Sequence, residues 1–400
     1  MPNCVRSLAA LLLGGILSGC GSSRPRQFVH APDWQSEDAA PVAVVPVPVT
    51  SAAPANVPSE KPVTAPAISQ QPAVPARIRS SAETWLSLNR WCKENGYAAP
   101  TCLGMSPLPT YAIAASKGAL VIHAKNQSAQ WASMEVRLSF APIMINGEPY
   151  VHTLDLQKTF KPILSNGKTH LNLPDSSPVI VIDPGHGGEN AGARSVLGSH
   201  YEKEFTLDWA KRLVPLLTSN GWRVFLTRTN DSDLALSNRV ACADEHKADL
   251  FLSLHFNSAA PNEAEAGLET YCLTPIGAPS TVTRGFSDDP SEAFPNNAFD
   301  VQNFQFALQV HRALLQVDGK RDRGVRRARF PGVLQRQQRP AILVEGGYLS
   351  NPREARLIAE PAHRQKLAEA LASALESLQT RGENAEAKSQ GTALKTRDAL

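Results

Sequence analysis

The fold is decided by the stretch V-I-V-I-D-P-G-H-G-G at residues 179–188. Four consecutive branched apolar residues favour a strand buried on both faces, and the Pro and Gly that follow end it. Comparable apolar runs alternate with segments of helical periodicity along the rest of the chain. The runs lie at 222–226, 250–254, 268–273 and 341–344, and the helical segments at 203–217, 237–246 and 304–317, with two more helices before residue 378. This alternation predicts an α/β fold for residues 178–378, with a mixed, mostly parallel twisted sheet and helices on both faces.

Polar side chains follow three of the predicted strands at the point where each strand ends. His186 follows the first strand, His255 follows the run at 250–254, and Glu345 follows the run at 341–344. In open α/β sheets, ligands bind at the carboxyl ends of the strands. We therefore expect these three side chains to lie at one edge of the sheet and to form a site.

The helix predicted at 203–217 adds a carboxylate to this group. At 100° per residue, Glu202 falls in the middle of the apolar stripe of this helix, whereas Glu204 falls on the solvent side. An inward carboxylate needs a partner. A cation held by His186 and His255 would be such a partner.

The residue types in this group are typical of a catalytic zinc site. Two histidines and one carboxylate form such a ligand set, because they leave a fourth position open. Glu345 is then a carboxylate that can move a proton, and the group as a whole is equipped to hydrolyse an amide. Each histidine taken alone has a structural alternative at a strand end. A Cys–His hydrolase is disfavoured because Cys242 and Cys272 lie inside periodic apolar segments.

Four motifs that contain these residues resemble those of the zinc-dependent N-acetylmuramoyl-L-alanine amidases of the amidase 3 family. They are V-I-D-P-G-H-G-G at 181–188, E-K at 202–203, S-L-H-F-N at 253–257 and V-E-G-G-Y-L-S-N at 344–351. The resemblance implies one Zn²⁺ per chain bound by His186, Glu202 and His255, with a zinc-activated water as nucleophile and Glu345 as general base and acid. It also implies hydrolysis of the amide between N-acetylmuramic acid and L-alanine in peptidoglycan, and a sheet of about six strands.

Two residues and one loop extend this interpretation. Asn257 and Arg239 are candidates for contacting the substrate or supporting the ligands. Some family members carry an inserted helix that blocks the zinc until an activator binds. Residues 275–300 are rich in Gly, Pro, Ser and Asn without an amphipathic period, so we expect no obligate activator. A zinc peptidase that cuts another bond of the stem peptide and a non-catalytic peptidoglycan-binding protein are the alternatives.

The N-terminus resembles that of a bacterial lipoprotein. Residues 1–19 have a charged start and a short apolar core, as a signal peptide has, and L-S-G-C at 17–20 resembles a lipobox in which Cys20 is acylated. The Pro-rich composition of residues 20–80 predicts a disordered linker. Because Gly21 rather than Asp follows the cysteine, we expect a periplasm-facing protein anchored to the outer membrane, with the inner membrane as the alternative.

Residues 81–175 are predicted to form a small accessory α+β domain of unknown role. I-N-G-E at 145–148 is a strong hairpin signal, and we find no catalytic group of residues in this part. Cys92 and Cys102 lie close together in a polar stretch, which favours a disulfide in an oxidising compartment. The polar residues 379–400 are predicted to be disordered.

Charge and hydropathy exclude two classes of protein. The formal net charge of +3 over 400 residues argues against a nucleic-acid-binding protein, which usually has a strongly basic face. No apolar run reaches the roughly 20 residues that a membrane-spanning helix needs. Peptidoglycan, and a membrane reached through a lipid anchor, are the partners that we expect.

Overall fold

The structure is a computed structural model that describes residues 84–165, 171, 173–174, 177–282, 288–317 and 321–397, with the backbone alone after residue 379. The predicted signal peptide, Cys20 and the Pro-rich linker lie outside these residues. No described helix is both long enough and apolar enough to cross a bilayer.

The N-terminal part of the described chain, residues 84–165, consists of short strands with few helical turns. Its elements are β1 (Trp85–Ser87), α1 (Leu88–Glu94), β2 (Thr101–Gly104), β3 (Thr110–Ala115), β4 (Gly118–His123), β5 (Ser128–Trp131), β6 (Met134–Arg137), β7 (Ile143–Ile145) and β8 (Glu148–His152). A helical segment follows without a break: α2 (Thr153–Asp155), a π-helical turn (Leu156–Phe160) and α3 (Lys161–Leu164). The predicted hairpin at 145–148 joins β7 to β8.

The C-terminal part alternates strands with helices, as its periodicity predicts. Its elements are β9 (Val179–Pro184), α4 (Glu202–Ser219), β10 (Arg223–Leu226), α5 (Leu236–Glu245), β11 (Leu250–Asn257), β12 (Leu268–Cys272), a 3₁₀ turn (Pro295–Phe299), α6 (Asp300–Leu314), β13 (Asp322–Arg327), β14 (Ala341–Tyr348), α7 (Pro352–Ala359) and α8 (Pro361–Arg397). The predicted α/β class is confirmed.

The sheet is larger than predicted and half antiparallel. Its order is β10-β9-β11-β14-β12-β13-β6-β5-β4-β3-β2, which makes eleven strands instead of about six. The six strands after residue 178 are parallel to their neighbours except for β12, which runs antiparallel to β14. Beyond them, β6 pairs in parallel with β13 through Val136 and Val325, and β5 to β2 follow in antiparallel pairs.

Five of the N-terminal strands, β2 to β6, therefore extend the C-terminal sheet, so that this part is not the separate accessory domain that we expected. Strands β1, β8 and β7 form an antiparallel sheet of their own. A single buried apolar cluster contains Val136 and Phe160 from the N-terminal part together with Phe304 and Val325 from the C-terminal part. Sequence patterns do not reveal this union, because it depends on one pair of strands nearly 190 residues apart in the chain.

Strand β13 was not predicted, because its sequence D-R-G-V-R-R has no apolar run. Arg327 is nevertheless fully buried: its guanidinium lies 4.7 Å from the centre of the Phe304 ring and donates to the carbonyl of Lys158 at 2.8 Å. A buried arginine with aromatic and backbone partners can replace the expected aliphatic residue.

Two further predictions are wrong. Cys92 and Cys102 are both free; Cys92 is fully buried in α1 and Cys102 is exposed on β2, so their sulfur atoms lie in different environments and form no disulfide. The backbone of residues 379–397 continues α8 instead of being disordered. This segment has no proline and is rich in Ala, Glu, Lys and Gln, all of which favour a helix.

Candidate active site

His186, Glu202 and His255 meet at the carboxyl end of the sheet. The Glu202 carboxylate lies between the two imidazoles, with Oε2 3.1 Å from Nε2 of His186 and Oε1 2.9 Å from Nδ1 of His255. One ligand atom from each residue lies within 4.8 Å of the others. Within the part of the chain that the structure describes, this is the one group of three or more His, Cys, Asp or Glu side chains with such a spacing.

Helix α4 directs Glu202 inward and Glu204 outward, as its periodicity predicts. Glu202 is the first residue of the helix and is buried, whereas Glu204 is exposed. The Glu204 side chain accepts a hydrogen bond from the backbone N–H of Tyr201 at 3.0 Å and contacts Nδ1 of His200 at 2.7 Å. Glu204 therefore caps the helix, and the carboxylate near the helix N-terminus also interacts favourably with the macrodipole.

Two glycine residues, Gly185 and Gly192, pack directly against the three polar side chains. A Cβ atom at Gly185 would lie 2.2 Å from Cε1 of His255, and one at Gly192 would lie 2.6 Å from Cδ2 of His186 and 2.7 Å from Oε2 of Glu202. His186 itself has a φ of 63°, in the left-handed region that a non-glycine residue seldom adopts. Such strain is concentrated at functional sites, where the surrounding structure holds it.

A hydrogen bond fixes the orientation of the His186 ring. Its Nδ1 lies 2.7 Å from Oδ1 of Asn190, an amide oxygen that can only accept. The proton therefore belongs on Nδ1, and Nε2 is left with a lone pair on the side of Glu202. A histidine that ligates a metal is typically oriented in this way.

The three groups influence one another electrostatically. Burial alone would raise the pKa of Glu202, but the adjacent His186 and His255 hold that pKa well below its usual range. Burial would lower the pKa of His186, yet the Glu202 carboxylate raises it; for His255 burial prevails and the pKa falls. A carboxylate that remains ionised between two imidazoles in a buried place is the environment of a bound cation, and this donor set fits Zn²⁺.

Glu345 occupies the neighbouring position in the sheet. It is paired in register with His255 across the parallel strands β11 and β14, and with Glu269 across β14 and β12. Only 3% of its surface is exposed. The predicted proton carrier therefore lies one strand away from a histidine of the candidate metal centre.

Comparison with known proteins agrees with this geometry. The sequence profile of the N-acetylmuramoyl-L-alanine amidases named Amidase_3 matches residues 180–377. AmiA of Escherichia coli K12, an N-acetylmuramoyl-L-alanine amidase, is 31% identical over 215 residues, which is 48% of this chain and 73% of AmiA. The chain belongs to the Amidase_3 family.

Two further proteins are similar to this chain. The AmiA protein of Salmonella typhimurium LT2 is 28% identical over 245 residues, 56% of this chain and 84% of that protein. The catalytic domain of CwlV, an N-acetylmuramoyl-L-alanine amidase from Bacillus (Paenibacillus) polymyxa var. colistinus whose structure is known, is 31% identical, with 50% of this chain and 97% of that domain covered and a TM-score of 0.42. Strands β1 to β8 lie outside the Amidase_3 profile match.

Arg239 supports the backbone at the end of β9 and is only 4% exposed, which leaves almost no surface for contact with a substrate. It is buried and donates to Asp183 at 2.6 Å, to the carbonyl of Pro184 at 3.2 Å and to the carbonyl of His186 at 3.1 Å. Burial would raise the pKa of Asp183, but Arg239 and two hydroxyl donors, Thr227 and Ser253, hold it below its usual range. This network fixes the backbone that carries His186.

Asn257 belongs to a second buried network, centred on Glu269, which sequence reasoning missed. Nδ2 of Asn257 donates to Glu269 at 2.9 Å, and the carboxylate also accepts from Tyr271 at 2.6 Å, Tyr348 at 3.2 Å and Arg323 at 2.7 Å. Burial and the nearby Glu269 raise the pKa of Tyr348, so that its hydroxyl remains a donor. The only sign of this network in the sequence is Glu269 itself, a charged residue within the apolar strand pattern at 268–273.

The loop between β12 and α6 has its own internal contacts. Asp288 accepts hydrogen bonds from the backbone and hydroxyl of Ser280 at 2.8 and 2.6 Å, and it pairs with the buried Arg329. The Arg329 guanidinium also donates to the carbonyl of Ala278 at 2.8 Å. Asp288 is thus held by its own loop and by Arg329, and it is not a member of the candidate metal group.

Proposed function

We propose that the chain is a zinc-dependent N-acetylmuramoyl-L-alanine amidase that hydrolyses the amide between N-acetylmuramic acid and L-alanine in peptidoglycan. The observation that carries the proposal is the Glu202 carboxylate between His186 and His255, with Glu345 in register beside it. Membership of the Amidase_3 family supports the same activity. The activity needs a metal site and a proton carrier, and the four polar side chains can supply both.

The donor set supports a site for one metal ion. His186, Glu202 and His255 would hold one Zn²⁺ per chain, which when bound supplies a Lewis acid for the scissile carbonyl and lowers the pKa of a water molecule. Gly185 and Gly192 leave room for the rings and the carboxylate, while Asn190 and Arg239 orient the His186 side chain and its backbone.

Glu345 moves the proton. Its carboxylate takes the proton from the attacking water as the new C–O bond forms. It then returns the proton to the amide nitrogen as the C–N bond breaks, so that the products are the lactyl carboxylate of the muramic acid and the free amine of L-alanine. Burial in the sheet, 3% exposed, keeps bulk water away from this carboxylate.

Purified muropeptides separate this proposal from its two alternatives. An amidase releases peptides that begin with the amine of L-alanine and leaves intact glycan. A zinc peptidase that cuts another bond of the stem peptide leaves L-alanine attached to muramic acid. A non-catalytic peptidoglycan-binding protein releases nothing, so mass spectrometry of the new ends distinguishes all three.

We also propose that the chain is a periplasm-facing lipoprotein of the outer membrane, with the inner membrane as the alternative. L-S-G-C at 17–20 supports acylation of Cys20, and the Pro-rich stretch up to residue 80 supports a long tether. Fifty-odd residues in an extended conformation reach at most about 150 Å.

The enzyme is proposed to need no obligate activator. The support is the loop at 275–300, whose Asp288 is bound to Ser280 and Arg329 instead of pointing to the candidate metal centre. The purified full chain should release labelled peptidoglycan fragments without added protein. A large stimulation by an envelope extract that lacks amidases of its own would contradict this part of the proposal.

A further inference from the structure

Strand β6 lies outside the part of the chain that matches the Amidase_3 profile. It places the side chain of Arg137 on the face of the sheet that carries Glu345. Val136 of β6 pairs with Val325 of β13, so that the next residues along the two parallel strands, Arg137 and Arg326, are neighbours on the opposite face from the valines. Both valines belong to the buried core. The two arginines therefore face away from that core.

The arginines lie on the same face as the catalytic carboxylate. Glu345 is in register with Glu269 on β12, and Tyr271, two residues further along β12, is in register with Arg326 on β13. Residues two apart on a strand share a face. The hydrogen bond from the Tyr271 hydroxyl to Glu269 at 2.6 Å agrees with this arrangement. A row of side chains thus leads from the candidate metal centre to Arg137.

Neither arginine has a carboxylate at hydrogen-bond distance within the described residues. Nη1 of Arg137 forms a long ion pair with Glu135 at 3.6 Å, and Nε of Arg326 forms one with Glu269 at 3.6 Å. Nε of Arg326 also donates a hydrogen bond to the carbonyl of Arg323 at 2.9 Å. Nε of Arg137 is buried without a hydrogen-bond partner. Burial first, and then the like charges of Arg326 and Arg323, lower the pKa of Arg137. Arg323 differs from both because Glu265 and Glu269 bind it directly.

The junction between β6 and β13 is built to hold this geometry. Oδ2 of Asp322 accepts a hydrogen bond from the backbone N–H of Glu135 at 2.6 Å, and Oδ1 lies 3.0 Å from Nε2 of His311, which is fully buried. Gly324 has a φ of 91°, and a Cβ atom there would lie 3.0 Å from the carbonyl oxygen of Glu135. The backbone that carries Arg137 is therefore fixed against the catalytic sheet.

We propose that Arg137 and Arg326 form a subsite for a free carboxylate of the peptide that leaves the scissile amide. This inference rests on the proposed amidase function and specifies its substrate. The side chains of Arg137 and Arg326 are 29% and 14% exposed, and their guanidinium groups can form charge-assisted hydrogen bonds with an incoming carboxylate. Strands are about 4.8 Å apart, so that β6 lies about 14 Å from β14. Arg326 is level with Leu343, two residues or about 7 Å along the strands from Glu345, so that the separation of Glu345 and Arg137 is about 16 Å. An extended peptide covers that distance in about four to five residues, which selects a carboxylate at or near the end of the stem peptide.

The test compares two muramoyl tetrapeptides that differ only in a C-terminal carboxylate or carboxamide. For the unsubstituted full chain, we expect the KM of the carboxamide to be about tenfold higher, with kcat nearly equal, because a charged hydrogen bond is lost. Arg137→Ala should raise the KM of the carboxylate peptide about tenfold and should change the KM of the carboxamide peptide by less than about twofold. Arg137→Lys should retain part of the discrimination. Arg90→Ala, an exposed arginine on α1 paired with Glu94, is the matched control and should change neither KM.

Calorimetry on the Glu345→Gln variant measures binding of the same two peptides without turnover. It separates failure of this inference from failure of the proposed function: absence of amide cleavage with a preserved preference for the carboxylate would overturn only the function. Equal affinity for the two peptides, no binding of either, or an equal loss of both on adding Arg137→Ala would overturn the subsite. An unchanged Tm establishes that Arg137→Ala is folded.

Discussion

His255 and Glu345 are paired in register on the adjacent parallel strands β11 and β14. His255 contributes to the candidate metal centre, and Glu345 is the proposed proton carrier. Because their strands are paired, the pairing sets the distance between the backbones of the two residues. A flexible loop would position these groups less precisely than two central strands do. The zinc content and the catalytic rate can therefore be measured separately in variants of these residues.

Glu345→Gln should stop catalysis without releasing the metal. Loss of general acid–base assistance typically costs about 10²–10⁴-fold in rate, whereas the three ligand side chains remain intact. Zinc analysis by mass spectrometry should still give about one ion per chain. Glu263→Gln, at an exposed position, is the matched control for loss of one carboxylate. Activity within about threefold of the unsubstituted chain would refute the role of Glu345.

Glu202→Ala and Glu204→Ala should have opposite phenotypes although the residues are two positions apart. Glu202→Ala should lose zinc, because the carboxylate between the two imidazoles is removed. Glu204→Ala should keep zinc and lower the free energy of unfolding by about 1 kcal/mol, because the helix cap at Tyr201 is lost. If the metal content falls for Glu204→Ala alone, the assignment of the ligand is wrong.

Gly185→Ala should weaken zinc binding by steric displacement of a ligand. The added methyl group would lie 2.2 Å from Cε1 of His255, so that the ring must move. We expect the zinc dissociation constant, measured by competition with a chelator, to rise at least about tenfold, equivalent to about 1.4 kcal/mol. Gly104→Ala adds the same methyl group where no atom lies within 4 Å. An equal effect of the two substitutions would show that the close approach of Gly185 is unimportant.

Cys20→Ala should prevent the protein from partitioning with membranes. Acylation of this cysteine is the proposed anchor, and a chain without acyl groups has no other predicted means of stable attachment. Fractionation with and without detergent, followed by immunoblotting, measures the change, with Cys4→Ala as the control. Continued membrane association of the Cys20→Ala protein would indicate a different anchor.

Removal of residues 1–174 should destabilise the catalytic part. Without these residues β13 would lose its partner β6, and Arg327 would lose the carbonyl of Lys158. We expect a loss of about 5 kcal/mol, or about 10–20 °C in Tm. Thermal denaturation of the truncated and longer chains measures it. A truncated protein with unchanged Tm would show that the two parts fold independently.

Sequence reasoning succeeded where a local pattern determines the outcome. His186 follows a strand with an apolar run, and His255 and Glu345 lie in two more such strands directly after the apolar run of each; the pairing of these strands is parallel. Helical periodicity alone directs Glu202 inward. It failed where the outcome depends on distant partners. The buried position of Arg327, the network around Glu269 and the union of β6 with β13 arise from contacts between segments far apart in sequence. Cys92 and Cys102 are close in sequence, but this proximity did not indicate that one side chain is buried and the other exposed.

The pairing of β6 with β13 has a consequence for peptide selection at the site. A free strand edge can pair with an extended chain through backbone hydrogen bonds, which are indifferent to side-chain identity. In this protein the outer side of β13 is already occupied, and the free edge on that side of the sheet is moved to the short strand β2, four strands beyond β6. A peptide bound at the candidate active site therefore cannot add itself as a strand to β13. It must be recognised through its side chains, its termini and its charge.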